Sequence, residues 1–161
     1  VARPCASAFF ASQQVYIPLG DLPSVLAYPR HDSEVRVHEA RQTLVDVGLS
    51  NLAKLDADAW ALATDRLSGG ERQRLAVARV ILQSPDWIFL DEATSALDRA
   101  AEEYLFSLMR SRIPKATFVI VAHRTPKGLG EVIKIVLNDA TQQASGSDAG
   151  AQIAKKYSIA P

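Results

Sequence analysis

Two features of the stretch RLSGGERQRLAVARVILQSPDWIFLDEATSALD, residues 66–98, could act on phosphate. The adjacent acids Asp91 and Glu92 follow an apolar run, and neighbouring carboxylates at a strand end suit a hard divalent ion such as Mg²⁺. One acid can hold the ion's waters while the other accepts a proton from an attacking water. Ser68, Gly69 and Gly70 precede a helix, where unpaired amides form an anion site and glycines let a phosphate approach the backbone.

A third polar residue, His123, follows the apolar run Phe118 to Ala122. Ligands of open α/β sheets bind beyond the carboxyl ends of the strands, so His123 is a candidate site residue together with the two acids. Each feature also has a purely structural interpretation. The acids could be solvated caps of the next helix, the histidine could be satisfied at its strand end, and the turn could be an ordinary helix start. The spacing of the turn to the acids favours a shared phosphate site.

Apolar periodicity predicts the elements that position these residues, beginning with a strand at Ala8 to Ala11. The sequence predicts a loop after this strand, because the segment contains four residues that break regular structure: Pro18, Gly20, Pro23 and Pro29. A helix is predicted from Asp32, with Asp32 or Ser33 as its cap and Gly48 as its stop. Its apolar residues recur at steps of three and four: Val37, Ala40, Leu44 and Val47. SNLAKL predicts a weaker helix, and residues 56–65, which include Trp60, predict a polar connection.

A capping box formed by Ser68 and Glu71 predicts the start of the next helix. Ser84 and Pro85 end this helix, because proline cannot continue the hydrogen-bond ladder. One face of the helix carries Leu75, Ala78, Arg79 and Leu82. The apolar run Trp87 to Leu90 is typical of a strand that is buried on both faces of a parallel sheet.

The remaining elements continue this alternation of strand and helix. A helix at Arg99 to Arg112 leads to two further apolar strands, TFVIVA at residues 117–122 and EVIKIVL at residues 131–137. The predicted fold class is therefore α/β, with a mainly parallel sheet flanked by helices. Residues 139–161 are polar, rich in Gly, Ser and Ala and without periodicity, and we expect them to form a loose tail.

The composition is that of a folded domain with no general affinity for nucleic acid. Apolar residues make up 48% of the 161 residues, and 18 basic side chains balance 18 acidic ones. No overall field attracts nucleic acid or an anionic membrane, so we expect no nucleic-acid partner. The single cysteine, Cys5, cannot form an internal disulfide. No apolar run is long enough for a spanning helix, and we expect the chain by itself to be soluble.

Together, the motifs resemble the nucleotide-binding domain of ABC ATPases over about Phe9 to Leu137. LSGGERQR resembles the family's signature motif, WIFLDE its Walker B motif, SALD its D-loop, and His123 its switch histidine, all in the family's order. Gln13, which precedes a Pro-Leu-Gly segment, matches the Q-loop glutamine. The resemblance implies a P-loop NTPase-like fold at residues 1–138, with a helical subdomain at about 21–82 and the segment from Walker B to the last strand at 83–138.

The resemblance also implies ATP and Mg²⁺ as cofactors and assigns a role to each residue of the strand ends. Asp91 would hold Mg²⁺ through water, and Gln13 would be a second residue of that metal site. Glu92 would be the general base for the attacking water, and His123 would contact the γ-phosphate. Gln13 would also sense that phosphate and link the site to a transmembrane domain.

Two further motifs would lie at the interface of a head-to-tail dimer of ATPase subunits. The signature residues would touch the ATP bound by the opposite subunit: Leu67, Ser68, Gly69, Gly70 and Glu71. The D-loop residues would lie at the same interface: Ser95, Ala96, Leu97 and Asp98.

One family motif is missing, because no G-x-x-x-x-G-K-S/T occurs among the 161 residues. In the family, this Walker A motif precedes the Q-loop together with an aromatic residue that stacks on adenine, so we expect both to lie upstream of Val1. We therefore interpret the chain as an N-terminally truncated ATPase domain. It is not expected to hydrolyse ATP alone, since the phosphates would lack their amide cradle and lysine.

The segments YIPLGDLPSVLAYP and PDWIFLDEATSALD are similar to bacterial and peroxisomal half-transporters of fatty-acyl compounds, peptides or vitamin B12. A parent of that kind is a homodimer with this domain on the cytoplasmic face of the plasma (inner) membrane. Two alternatives stay open. One is a soluble ABC ATPase of translation or DNA repair, and the other is a non-catalytic module that donates its signature motif to a partner's ATP site.

Overall fold

The computed structural model describes residues 6–29, 36–64, 66–130 and 133. The chain divides into two compact units, Val1–Leu129 and Gly130–Pro161, and every described helix and strand lies in the first. In chain order these elements are β1 (Ala8–Ser12), α1 (Leu22–Ala27), α2 (Val37–Asp46), α3 (Ser50–Ala53), α4 (Ala57–Thr64), α5 (Gly69–Gln83), β2 (Trp87–Asp91), α6 (Arg99–Arg112) and β3 (Thr117–Val121).

The three strands form one parallel sheet in the order β1-β2-β3. This arrangement confirms the predicted α/β class, since parallel neighbours need crossover connections such as those that contain the helices. The register places Ser12, Asp91 and Val121 side by side at the carboxyl ends of the strands. The segments that leave these three residues consequently emerge at one edge of the sheet.

One face of the sheet is buried and the other is exposed within the described residues. Phe9, Ile88 and Leu90 join the hydrophobic core together with side chains of α5 and α6. On the opposite face, Phe10 is 74% exposed and Val121 is 59% exposed. The prediction that Trp87 to Leu90 is buried on both faces is therefore wrong within the described residues, where Trp87 is 41% exposed. The apolar run WIFL is compatible with a second layer of structure on that face, but the run itself does not determine whether such a layer is present.

Helix α4 replaces the polar connection that was predicted for residues 56–65, and that prediction is also wrong. Alanine and leucine in this segment favour helix, and the Asp56 carboxylate accepts the backbone N–H of Ala59 at 2.8 Å in the first turn. Trp60 is only 1% exposed, so it anchors the helix in the core. Packing of this indole outweighs the charge pattern that indicated a loop.

Helix α2 starts later than predicted. Arg36 is its N-cap and makes no side-chain cap, whereas Asp32 and Ser33 lie outside the described residues. The apolar face is confirmed for three of its four residues, Ala40, Leu44 and Val47, but Val37 is 49% exposed. Its end agrees with the prediction, since Gly48 follows with a φ of 82°.

Helix α1 lies inside the loop that was predicted after β1, so that part of the loop prediction is wrong. Pro23 occupies the first turn of this helix, where proline is tolerated, and the Asp21 carboxylate caps the helix by accepting the Ser24 N–H at 2.9 Å.

The other predicted elements agree with the structure where it describes them. Strand β1, the weak helix at α3, the signature helix α5 and the helix α6 all lie where the sequence placed them. On α5, Leu75, Ala78 and Arg79 are buried, and Leu82 is half-buried. The predicted strand at residues 131–137, apart from Ile133, and the predicted tail at 139–161 fall outside the described residues.

Candidate functional site

The carboxyl edge of the sheet brings together the strand-end residues that the sequence predicted. Gln13 follows Ser12 of β1, Asp91 ends β2 with Glu92 after it, and His123 lies two residues beyond Val121 of β3. The parallel register sets Ser12, Asp91 and Val121 level with one another. The site is thus assembled by strand pairing between segments that are far apart in sequence.

Glu92 and His123 are in direct contact at this edge. The Nε2 atom of His123 lies 2.9 Å from Oε1 of Glu92. The side chain of His123 is 87% exposed and that of Glu92 is 28% exposed, so both can reach a ligand above the strands. A carboxylate in this position can accept a proton from water, and the imidazole beside it can donate a hydrogen bond to an anion.

The backbone of Glu92 has an unusual conformation. Its φ is 50°, in the left-handed region that non-glycine residues seldom adopt. The Glu92 N–H donates to the carbonyl oxygen of Val121 at 3.0 Å, which continues the β2–β3 pairing one residue past the strand. Such conformations persist where the surrounding structure enforces them, and they are common at active sites.

Asp91 is exposed at the end of β2, and its carboxylate is the donor type that Mg²⁺ prefers. Among the described residues, no group of three or more His, Cys, Asp or Glu side chains could hold a metal ion by itself. Protein-bound Mg²⁺ commonly has only one or two carboxylate ligands, with waters and substrate phosphates as the others. The residues at this edge therefore fit an ion that binds together with a phosphate substrate.

The signature turn, Leu67–Glu71, has the capping box that the sequence predicted. The Ser68 hydroxyl accepts the backbone N–H of Glu71 at 3.3 Å, and the Glu71 carboxylate accepts the Ser68 N–H at 2.8 Å. The serine hydroxyl and backbone N–H hold the pKa of Glu71 below its ordinary value of 4.5. Leu67 is buried, whereas Ser68 and Gly69 are exposed at the start of α5.

The D-loop, Ser95–Asp98, packs directly against the signature turn. A Cβ atom built on Gly69 would lie 3.4 Å from the Cβ of Ala96, and one on Gly70 would lie 3.5 Å from the Ala96 carbonyl oxygen. Gln73, which no sequence pattern indicated, joins the two segments. Its amide donates to the Ser95 hydroxyl at 3.3 Å and accepts the Ala96 N–H at 2.9 Å.

Three further residues that the sequence did not indicate, Thr94, Glu102 and Arg124, connect the loops that contain Glu92 and His123. The buried carboxylate of Glu102 accepts the Thr94 hydroxyl at 2.7 Å and lies 3.2 Å from Nε of Arg124. Asp98, at the end of the D-loop, caps α6 by accepting the Ala101 N–H at 2.8 Å. One sequence signal was available, because Glu102 falls on the inward face of an amphipathic helix.

Gln13 is exposed, and it lines a groove of about 540 Å³. The groove is lined by residues 13–17 and by Gly69 and Arg72 of the signature helix. The structure thus brings the Q-loop candidate to the signature helix as well as to the strand edge.

The buried guanidinium of Arg79 ties the segment after Gln13 to the signature helix. Its Nη1 donates to the Tyr16 carbonyl oxygen at 2.7 Å, and its Nε donates to that of Val25 at 2.9 Å. Burial lowers the pKa of Arg79 to about 10. Nη2 has no hydrogen-bond partner among the described residues.

The sequence of the chain is similar to those of known proteins. A family model described as ABC transporter matches residues 11–95. The chain is 37% identical over 141 residues to an uncharacterised ABC transporter ATP-binding protein of Haemophilus influenzae, a match that covers 86% of this chain and 23% of the relative. It is also 37% identical over 123 residues to the inner membrane ABC transporter ATP-binding protein YddA of Escherichia coli, covering 74% and 21%.

A solved structure of a bacterial Atm1-family ABC exporter with ATP bound has the same fold. The TM-score is 0.60 at 27% identity, over 73% of this chain and 21% of the exporter chain. The chain spans between a fifth and a quarter of the length of these three proteins. No helix in the described ranges is both long and apolar enough to cross a bilayer.

Proposed function

Because the chain belongs to the ABC transporter family, we propose that it supplies most of a transporter's ATP-hydrolysing domain. The domain comprises residues 1–138, with a helical subdomain at about 21–82 and the Walker B segment at 83–138, and residues 139–161 lie outside it. The observation that carries this proposal is the 2.9 Å contact between His123 and Glu92 at an edge that also holds Asp91. ATP hydrolysis requires a base, an anion contact and a metal ligand at one place.

Each residue at the edge has a distinct task in this proposal. Glu92 accepts the proton of the attacking water, and its left-handed backbone, with a φ of 50°, sets the direction of the carboxylate. His123 contacts the γ-phosphate and holds the Glu92 carboxylate in position. Asp91 and Gln13 would hold Mg²⁺, which would neutralise charge on the phosphates.

The signature turn acts on ATP that is bound by a second ATPase subunit in a head-to-tail dimer. The Glu71 N–H already donates to the Ser68 hydroxyl, so the anion would be bound by the N–H groups of Gly69 and Gly70 at the start of α5. These two glycines allow it to approach the backbone closely. The D-loop lies against the same turn, which places Ser95 to Asp98 at the dimer interface in this proposal.

A transmembrane domain is the second partner, and Gln13 connects it to the site. The groove along residues 13–17 offers a surface for that contact beside the signature helix. We therefore place the assembled protein at the cytoplasmic face of the inner membrane.

Hydrolysis needs a phosphate cradle that these 161 residues do not contain. No G-x-x-x-x-G-K-S/T motif occurs in the sequence, so the β- and γ-phosphates lack a lysine and an amide cradle. We expect the isolated chain neither to bind Mg-ATP tightly nor to hydrolyse it. Calorimetry with Mg-ATP and a phosphate-release assay test this, and saturable micromolar binding with turnover would contradict it.

A hybrid protein tests the proposed function directly. The chain would replace the matching 141-residue segment of the Haemophilus influenzae relative, which supplies the remainder of the protein. We expect the hybrid to hydrolyse Mg-ATP at a rate comparable with that of the intact relative. The control is a hybrid with Asp91→Asn and Glu92→Gln, which keeps the shape of the site and removes both carboxylates. Equal rates in the hybrid and this control would refute the proposal.

The fully formed signature turn supports one second candidate, a non-catalytic module. Such a module would donate Ser68, Gly69 and Gly70 to ATP held by a different protein. It predicts that the isolated chain accelerates hydrolysis by a partner that has an intact Walker A but a mutated signature motif. In that assay, Glu92→Gln in the chain would have no effect.

A further inference from the structure

Helix α6 is attached to the loop that follows Glu92. This strand-end loop, residues 92–98, contains the D-loop and leads into the helix. At its far end, Asp98 caps α6 through the Ala101 N–H at 2.8 Å. Near its start, the Thr94 hydroxyl donates to Oε1 of Glu102 at 2.7 Å. The first two turns of α6 therefore fix the loop at two points.

The same helix is attached to the loop that carries His123. Within this switch loop, residues 122–128, the Nε atom of Arg124 lies 3.2 Å from Oε2 of Glu102. Nη2 of Arg124 donates to the carbonyl oxygen of Leu97 at 3.4 Å. One guanidinium thus contacts the helix and the D-loop together, from the residue next to His123.

The carboxylate of Glu102 is the common point of these contacts. Its side chain is 8% exposed, on a helix face whose other inward residues include Leu105, Phe106 and Met109. A buried carboxylate requires hydrogen bonds and an opposite charge to offset its lost hydration. Thr94 serves one oxygen and Arg124 serves the other. Core packing of α6 therefore determines where both loops are held.

The far end of the switch loop also rests on α6. Gly128 has a φ of 88°, and a Cβ atom there would lie 2.5 Å from the Glu103 carbonyl oxygen and 2.6 Å from the Ser107 hydroxyl. Contacts with α6 therefore hold the switch loop at Arg124, next to His123, and again at Gly128. The ring of His123 itself is 87% exposed, so its position follows that of the backbone.

We propose that Glu102 and Arg124 are positioning residues that couple the D-loop to His123, and through His123 to Glu92. A displacement of the D-loop at Leu97 moves the Arg124 guanidinium, which shifts the adjacent His123 relative to the Glu92 carboxylate. The catalytic meaning of this coupling rests on the proposed function. The coupling itself is a property of the 161-residue chain and can be measured without nucleotide.

The test is nuclear magnetic resonance on the ¹⁵N-labelled chain, comparing the native protein with Glu102→Gln and Arg124→Gln. The readouts are the backbone order parameters of residues 122–127 and the ring ¹⁵N shifts of His123, with the ring of His38 as internal reference. Arg112→Gln is the matched control, because it breaks the ion pair of α6 with Asp46 on the surface of the protein. The double variant Glu102→Gln, Arg124→Gln completes a mutant cycle.

We expect each single variant to lower the switch-loop order parameters from about 0.85 toward 0.6, and to shift the His123 ring resonances. The amides of residues 95–97 should shift as well, and the double variant should add little to either single one. Arg112→Gln and the His38 ring should show no such change. Arg124→Lys should restore the switch loop partly, since lysine keeps the charge but not the planar fork.

Native order and a native His123 ring shift in both single variants would overturn the proposal, even if their melting temperatures fell. Additive effects in the double variant would overturn it too, since coupling through one pair requires non-additivity. If Glu102→Gln does not fold, Thr94→Val and Arg124→Gln act on the same carboxylate and give the same readouts. Because ATP is absent from these measurements, a failed hydrolysis assay leaves their outcome unchanged.

Discussion

The signature turn and the strand edge present groups to phosphate in opposite ways. Every polar contact of the turn's capping box lies within residues 68–71, where Ser68 and Glu71 satisfy one another. The strand edge is built from Ser12, Asp91 and Val121, which meet only because three strands pair in register. Its side chains extend outward, with His123 87% exposed.

Because of this difference, the geometry of the two regions indicates a catalytic role to different degrees. The turn would form as a helix start even if it never met a phosphate, so its geometry supports both a cap and a ligand site. The strand edge includes a left-handed Glu92 that no local preference explains. Its shape is therefore the stronger indication of function, while the role of the turn must be tested through its effect on another subunit.

The largest expected effect concerns the strand edge. In the hybrid protein, Glu92→Gln should lower turnover by about 10²- to 10⁴-fold, because an amide cannot accept the proton of the attacking water. ATP binding should remain nearly unchanged, and an ATP-bound dimer should accumulate. Phosphate release and nucleotide binding measure the two properties. Glu103→Gln on the exposed side of α6 is the control, and a Glu92→Gln rate close to that of the hybrid would exclude this residue as the base.

A second effect tests how firmly the switch loop rests on α6. Gly128→Ala would place a Cβ atom 2.5 Å from a backbone oxygen, whereas a Cβ atom on Gly130, at a similar positive φ, meets no atom of the described residues within 4 Å. Since both substitutions have the same backbone strain, Gly128→Ala should lower the free energy of unfolding by about 1–3 kcal/mol more than Gly130→Ala. Urea unfolding of the two variants measures this difference. Equal stabilities would mean that Gly128 is not closely packed against α6.

A third effect isolates the structural role of the signature turn. Ser68→Ala removes a helix cap and should lower the free energy of unfolding by about 1 kcal/mol. Ser111→Ala is the matched control, since among the described residues that exposed hydroxyl donates only to the Leu108 carbonyl oxygen inside α6. Thermal melting of the isolated chain compares them. A Ser68→Ala variant as stable as the control would show that the turn does not depend on its cap.

The smallest effect is a pH dependence at the same turn. The folded-state pKa of Glu71 is held below 4.5 by its hydrogen bonds to Ser68, so its contribution to stability is fully present above that value. The contribution is lost as the pH falls through the lowered pKa. The stability of the native chain relative to Glu71→Gln should therefore decline as the pH falls below 4.5. A difference that stays constant with pH would contradict the contact.

The same contrast explains which features the sequence could predict. The capping box is a local pattern, and its residues lie where the pattern placed them. Asp91, Glu92 and His123 were identified because polar residues that follow apolar runs indicate the edge of a parallel sheet, whereas Gln13 was identified by resemblance to the Q-loop glutamine. The contact between His123 and Glu92 depends on strand register, which no local pattern encodes.

The features that the sequence did not predict depend on tertiary packing. The exposed face of the sheet follows from which layers cover it, and apolar runs do not report that. Helix α4 was missed because the burial of Trp60 outweighs the charges around it. Glu102 and Gln73 were missed because their partners lie 22 residues away along the chain at Arg124 and Ser95, and only the fold brings them together.

The central claim is that the signature turn of one subunit serves the ATP held by the other, and two mixed dimers of the hybrid protein test it most directly. In the first dimer, Ser68→Arg and Glu92→Gln lie in the same subunit; in the second, they lie in opposite subunits. If the turn acts across the interface, the first dimer has both sites disabled, while the second keeps one intact site and about half the normal turnover. If the turn serves its own subunit, the first dimer keeps the intact site and the second has none. Single-turnover hydrolysis should therefore be confined to the dimer with the substitutions in opposite subunits, and the reverse pattern would contradict the account.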